Sequence, residues 1–309
     1  MMSGFSRSRA VCLLAGAALL TTAACGSDSG SGSGESAAQG SAKPGVIAAF
    51  YPLQWLTEQV GGPDVAVTVL TAPGVEPHDL ELSIKQVTEI QDAALTVYIK
   101  GVQPAVDDAV DQDKSFDAAT AVPTLPLGDH AEEGEEEHTV SYDPHIWLDP
   151  VRLATVATKL GERLAVADPA HAQAYKDRAA ATAASLGTLD REFAAGLGTC
   201  RTKTLVTAHE AFGYLADRYR LKQVGITLDP EQEPSPARLS EVGKLARAEG
   251  VTTIFTESLV NPKVAQVLAD QVGAKTTVLN PLESKPSGDY LSAMRDNLKT
   301  LQTALGCTT

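Results

Sequence analysis

Three of the six histidines in this 309-residue chain stand next to prolines or at the edges of apolar runs rather than within them. His78 closes Gly74-Val75-Glu76-Pro77-His78, His145 lies in Asp143-Pro144-His145-Ile146-Trp147-Leu148-Asp149-Pro150, and His209 follows Thr207-Ala208 and precedes Glu210-Ala211-Phe212. Neutral imidazole is the commonest protein ligand for transition metals, and three that converge suit a borderline-soft dication such as zinc. Read singly, each could equally be a polar loop residue that caps a helix or bonds backbone. Loops at the ends of regular elements are nonetheless where a rigid scaffold aims ligand groups. His171 reads as a surface residue near the start of a helix, while His130 and His138 belong to a low-complexity acidic loop over 128–138, solvated or acting as a metal collector.

Sulfur does not compete for this role. Cys12 and Cys25 lie near the N-terminus, and Cys200 and Cys307 form no zinc-finger or iron–sulfur spacing, so metal chemistry must use nitrogen and oxygen. Arg7 and Arg9, an apolar run over 10–20, and Thr21-Thr22-Ala23-Ala24-Cys25 read as an export signal. The apolar run is shorter than the roughly 20 residues that span a bilayer, so it is expected to be removed. Ala23-Ala24-Cys25 resembles a bacterial lipobox, with Thr22 where leucine is preferred. That resemblance predicts a signal peptide over 1–24 and a lipid on Cys25 that holds the protein at the outer face of the cell membrane.

Residues 25–43, mostly Gly, Ser and Ala, cannot bury enough surface to fold and read as a flexible tether. Loss of Arg7 and Arg9 with the signal takes the formal net charge from -14 to -16. Such a surface disfavours nucleic acid and suits a soluble cation. Cys200 and Cys307, left in an oxidising compartment, are expected to pair as a disulfide.

The elements that must position the histidines alternate between strand and helix. Strands are predicted at 45–50, 64–70, 94–99 and 122–127, and again at 203–208, 223–228, 251–255 and 275–279. Ser83 opens a helix with Ile84, Val87 and Ile90 at helical spacing; Ser235 before Pro236 and Asn261 before Pro262 open others. The alternation implies an α/β fold of two lobes, each a mainly parallel four-stranded sheet flanked by helices. The lobes are placed at 44–150 and 198–309. Between them, over 151–197, Tyr175, Ala179, Ala183, Leu186, Leu189, Phe193 and Leu197 recur every three or four residues and predict one long rigid helix, on the order of 40 Å, joining the lobes. His78 and His209 then follow strand ends, where open α/β sheets bind ligands.

The three histidine motifs, in this order and spacing, resemble the signatures of zinc and manganese ABC-transporter substrate-binding lipoproteins across nearly all of the chain after the tether. The resemblance implies a monomer that captures a divalent metal between two lobes and hands it to a membrane ABC permease. It implies His78, His145 and His209 as ligands, with zinc favoured over manganese because the third position is His209 rather than glutamate. The family commonly supplies a fourth ligand from an aspartate before a proline, a position held here by Asn280 in Asn280-Pro281-Leu282-Glu283. Asn280, a water, Glu257 in Phe255-Thr256-Glu257-Ser258, or another nearby acid remain open for that place. Rival readings are a manganese-binding surface lipoprotein or adhesin, and a secreted zinc hydrolase, since His209-Glu210 begins a zinc-protease motif. That motif needs histidine where Gly213 stands.

Overall fold

The computed structural model describes residues 43–127 and 140–308. The expected signal, Cys25 and its tether, and His130 and His138 lie outside the described residues. No helix among those described is long and apolar enough to cross a membrane.

The first lobe is built from β1 (Gly45–Ala48), α1 (Tyr51–Gly61), β2 (Ala66–Val69), α2 (Ile84–Asp92), β3 (Leu95–Tyr98), α3 (Pro104–Ala109) and β4 (Ser115–Asp117). Its strands pair in parallel in the order β2-β1-β3-β4. The central strands Gly45-Val46-Ile47-Ala48 and Leu95-Thr96-Val97-Tyr98 are almost wholly buried, as strands covered on both faces must be, whereas edge strand β2 alternates in exposure. The fourth strand lies at Ser115–Asp117, not over the expected 122–127. Pro123 and Pro126 have no N–H to give a ladder, and only one isolated bridge, Pro126 to Tyr142, forms there.

Two helices, α4 (Pro150–Ala167) and α5 (Ala172–Leu197), lead to the second lobe. Asp149 caps α4 by accepting from the backbone N–H groups of Val151 and Arg152. The second lobe follows as β5 (Thr204–His209), α6 (Gly213–Tyr219), β6 (Lys222–Thr227), α7 (Pro236–Ala248), β7 (Thr253–Thr256), α8 (Lys263–Val272), β8 (Lys275–Val278) and α9 (Tyr290–Leu305). Its parallel order β6-β5-β7-β8 repeats that of the first lobe.

The long helix is α5, whose 26 residues extend about 39 Å. It starts three residues after Pro169, because Pro169–His171 forms a 3-10 turn. Tyr175, Ala179, Thr182, Leu186, Leu189, Phe193 and Leu197 form its buried stripe. Near its start, Arg178 donates to Val60 O, Gly61 O and Asp64 of the first lobe. Near its end, Phe193 stacks on Tyr219, Asp190 pairs with Arg218 and Glu192 with Arg295, all of the second lobe. Cys200 and Cys307 form the expected disulfide, tying the exit from α5 to the end of α9.

Candidate metal centre

Each histidine is aimed by a different device. His78 sits on the loop after β2, where Gly74 adopts φ 83° and its N–H donates to Ser284 Oγ of the second lobe at 2.7 Å. The His78 N–H reaches Glu76 Oε1 at 3.4 Å. His145 precedes a buried 3-10 turn, Ile146–Leu148. Inside that turn Trp147 packs edge-on to Phe50 and donates from its indole N–H to Pro281 O at 2.7 Å. Tyr214 fastens the same segment from the second lobe, donating its hydroxyl to Asp143 O while accepting from Leu125 N–H. His209 is the last residue of β5, completely buried and paired with Thr227 of β6.

The fourth group is Glu283, which the sequence reading did not single out. Asn280 does not join the histidines: its side-chain oxygen accepts from Leu282 N–H at 2.7 Å, and its backbone N–H and C=O pair with the Asn297 amide. This Asx-type turn carries Leu282 through φ 66°, a left-handed conformation rarely held by a branched side chain, and delivers Glu283 to the interior. Asn280 therefore builds the turn, and the carboxylate three residues on supplies the donor. The sequence shows an acid three positions after Asn280, but nothing in the residue types marks it as turned inward. Glu257, the other open alternative, lies behind His209 instead, its Oε2 2.7 Å from Nδ1.

His78, His145, His209 and Glu283 each offer one donor atom, and these lie within 4.8 Å of one another. Glu283 Oε1 is 3.6 Å from His78 Nε2, 3.7 Å from His145 Nε2 and 3.6 Å from His209 Nε2. The Nε2 atoms of His145 and His209 are 3.4 Å apart. A tetrahedral ion with bonds of about 2.0–2.1 Å needs donor separations of about 3.3 Å, close to these edges. His78 Nε2 and both oxygens of Glu283 are buried without a hydrogen-bond partner. Buried polar groups are normally satisfied, so this convergence of orphaned donors fits a cation at its centre.

Charge is distributed to match. Burial pushes the His209 imidazolium toward deprotonation, but the charges of Glu257 and Glu283 outweigh it and raise its pKa well above the ordinary 6.5. His78 is raised by Glu283 against the same opposing effect of burial. Burial would raise Glu283, yet its histidine neighbours hold it well below the usual carboxylate range. Glu76 is pushed up to about 7, first by burial and next by the charge of Glu283. A groove of about 920 Å³ with Asp79, Glu231 and Glu233 in its wall opens onto His78 and His145. His171 is far from this chemistry, held by Asp168 at the corner between α4 and α5.

Two similar α/β lobes backed by one long helix, with donor atoms from both meeting between them, define a two-lobed α/β protein with a candidate metal centre between its lobes. Residues 46–304 match the family described as zinc-uptake complex component A, periplasmic, and the chain belongs to that family. It is 37% identical over 281 residues to the zinc-binding lipoprotein AdcA of Streptococcus pneumoniae (strain ATCC BAA-255 / R6), covering 85% of this chain and 56% of that protein. It therefore spans only a little over half the length of AdcA. Against the high-affinity zinc uptake system protein ZnuA of Bacillus subtilis (strain 168) it is 34% identical, covering 94% of this chain and 95% of that one. Among solved structures, Zn(II)-bound AdcA from Streptococcus pneumoniae aligns with TM-score 0.72 at 35% identity, over 85% of this chain and 58% of that one. The laminin-binding protein Lmb of Streptococcus agalactiae, a bifunctional protein with adhesin and metal transporting activity, aligns with TM-score 0.76 at 35% identity, over 85% and 99%.

Proposed function

We propose that this chain captures one zinc ion on His78, His145, His209 and Glu283 and passes it, as a monomer, to an ABC permease in the membrane. The observation that carries this reading is the meeting, within 4.8 Å of one another, of three imidazole nitrogens and one carboxylate oxygen drawn from both lobes. Three nitrogen donors and one oxygen suit zinc better than manganese, which prefers a larger number of oxygen ligands. Zinc-binding relatives of the same family support the choice. Lipidation of Cys25, with residues 25–43 as a tether, would keep the loaded protein at the outer face of the cell membrane beside its permease.

Hydrolysis fits less well. A catalytic zinc keeps one position open for water, whereas four protein donors are available here to fill the tetrahedron. The position where a helical protease motif needs its second histidine is Gly213, and a Cβ there would come within 2.4 Å of Asp143 Oδ2.

Competition titration against a zinc chelator tests the assignment. Alanine at His78, His145, His209 or Glu283 is expected to weaken zinc binding severely, while His130→Ala and His138→Ala leave the tight site nearly intact. Loop substitutions more damaging than those at the cluster would overturn it. Cys25→Ala protein that stayed fully in the membrane fraction would remove the anchor.

A further inference from the structure

Two carboxylates stand behind the histidines, each gripping one of them at two points. Asp143 Oδ1 accepts the His145 backbone N–H at 2.9 Å and lies 2.7 Å from ring Nδ1 of the same residue. Glu257, directly after β7, accepts the His209 backbone N–H on Oε1 at 3.2 Å and brings Oε2 to 2.7 Å from ring Nδ1. The first ring contact is a hydrogen bond; the second is close but angled away from hydrogen-bond alignment. Both carboxylates are buried, at 7% and 5% exposure. They come from unrelated places in the chain, one two residues before its histidine and the other 48 residues after.

We infer that Asp143 and Glu257 are positioning residues that fix which nitrogen of His145 and His209 faces the metal. The inference rests on the zinc reading of the cluster. A neutral imidazole carries one ring proton, and the nitrogen that lacks it is the one able to bind a metal. A carboxylate against Nδ1 attracts that proton, because the other tautomer would set a nitrogen lone pair against an anion. Nε2 is thereby left with its lone pair free to bind a cation placed between the imidazoles and Glu283. The backbone grip by the same carboxylate holds the histidine main chain in place, so donor direction and tautomer are set together. Elsewhere the fold protects one of these contacts: α6 begins with Gly213, which has no side chain to displace Asp143.

The test uses the full chain and zinc alone. In the zinc-loaded protein, long-range proton–nitrogen spectra should show Nδ1–H and metal-bound Nε2 for both His145 and His209; metal on Nδ1 of either would overturn the assignment. Glu257→Gln and Asp143→Asn remove charge at nearly constant shape. Each should weaken zinc binding by about 10–100-fold with little change in the thermal midpoint of the metal-free protein. Glu257→Gln should add little further loss in a His209→Ala background, because the glutamate acts through that ring. Unchanged affinity in both charge variants, or fully additive losses in the double variant, would overturn the positioning role while leaving the zinc cluster standing. Unchanged affinity in His209→Ala alone would instead sink the cluster, and this inference with it.

Discussion

A carboxylate at 1% exposure needs cations around it, and Glu283 faces three imidazole nitrogens. In the metal-free protein His78 and His209, both raised above the ordinary histidine value, supply that charge. The raised His209 and His78 contribute stability that is complete below the unfolded histidine value of 6.5 and is lost as pH rises through their folded values. The depressed Glu283 contributes stability that is complete above 4.5 and is lost as pH falls. Glu76, raised to about 7, works in the same direction as the histidines, since its ionisation at higher pH occurs in a buried place beside another carboxylate. Zinc competes with the histidine protons, so its binding strengthens over the interval where metal-free stability declines. Thermal unfolding with and without zinc should therefore show a larger stabilisation at pH 8 than at pH 6; a smaller one at pH 8 would contradict the charge arrangement. Asn280 gives a second residue-level expectation. Asn280→Asp keeps the oxygen that accepts from Leu282 N–H and should retain most zinc affinity, whereas Asn280→Ala loosens the turn beneath Glu283 and should weaken binding by about tenfold through that carboxylate. If Asn280→Ala proved as damaging as Glu283→Ala in the same titration, Asn280 would have to be a ligand. The three histidines were legible because each stands in a motif beside a strand end or turn. Glu283 was not, because its inward course depends on Leu282 taking a left-handed conformation that no residue type announces.

At the scale of elements, α6 and the disulfide make separable predictions. Ala is a better helix former than Gly, so even at Gly213, the first residue of α6, Gly213→Ala would not be unfavourable on propensity alone. Its Cβ, however, would press on Asp143 Oδ2, and the carboxylate must move off His145. The expected outcome is weaker zinc binding, on the order of tenfold, despite the better helix former; unchanged affinity would show that Asp143 can shift without consequence. Cys200→Ser acts elsewhere. Its bridge spans 107 residues of sequence, and its loss should cost about 2–5 kcal/mol of stability in denaturant titration. Zinc affinity should stay close to that of the intact protein, because the bridge joins the ends of α5 and α9 and not the loops that bear ligands. Element by element, seven of the eight strands were legible as apolar runs of suitable length. Ser115-Phe116-Asp117 is too short to display a periodicity, and the Val-Pro-Thr-Leu-Pro segment after it imitates an apolar strand while its prolines limit it to one isolated bridge.

Across the whole molecule, one continuous core decides how far the lobes can move. Phe50, Leu53 and Val97 of the first lobe, Leu160 of α4, Leu186, Leu189 and Phe193 of α5, and Phe212, Tyr290 and Leu301 of the second lobe all belong to a single buried cluster. A separate cluster under Val206, Val224, Ile254 and Leu268 serves only the outer face of the second sheet. Hinge opening of the kind that parts two lobes joined by loose strands would have to tear the shared core along α5. Close-packed interiors resist such continuous deformation. The ligand loops are held by less: a Gly74–Ser284 hydrogen bond, the Trp147–Pro281 contact and the Asn280 turn. Metal removal should therefore be felt first in these loops, most of all over 71–83, where only Thr71 and Pro77 are buried and few contacts oppose local opening. Hydrogen exchange on zinc-loaded and metal-free protein is expected to differ over residues 71–83 and 280–288, and to be nearly the same along the buried face of α5. Small-angle scattering of the two forms should coincide. A marked rise in radius of gyration on zinc removal, together with faster exchange in the middle of α5, would mean that the helix bends and that the lobes open as rigid bodies.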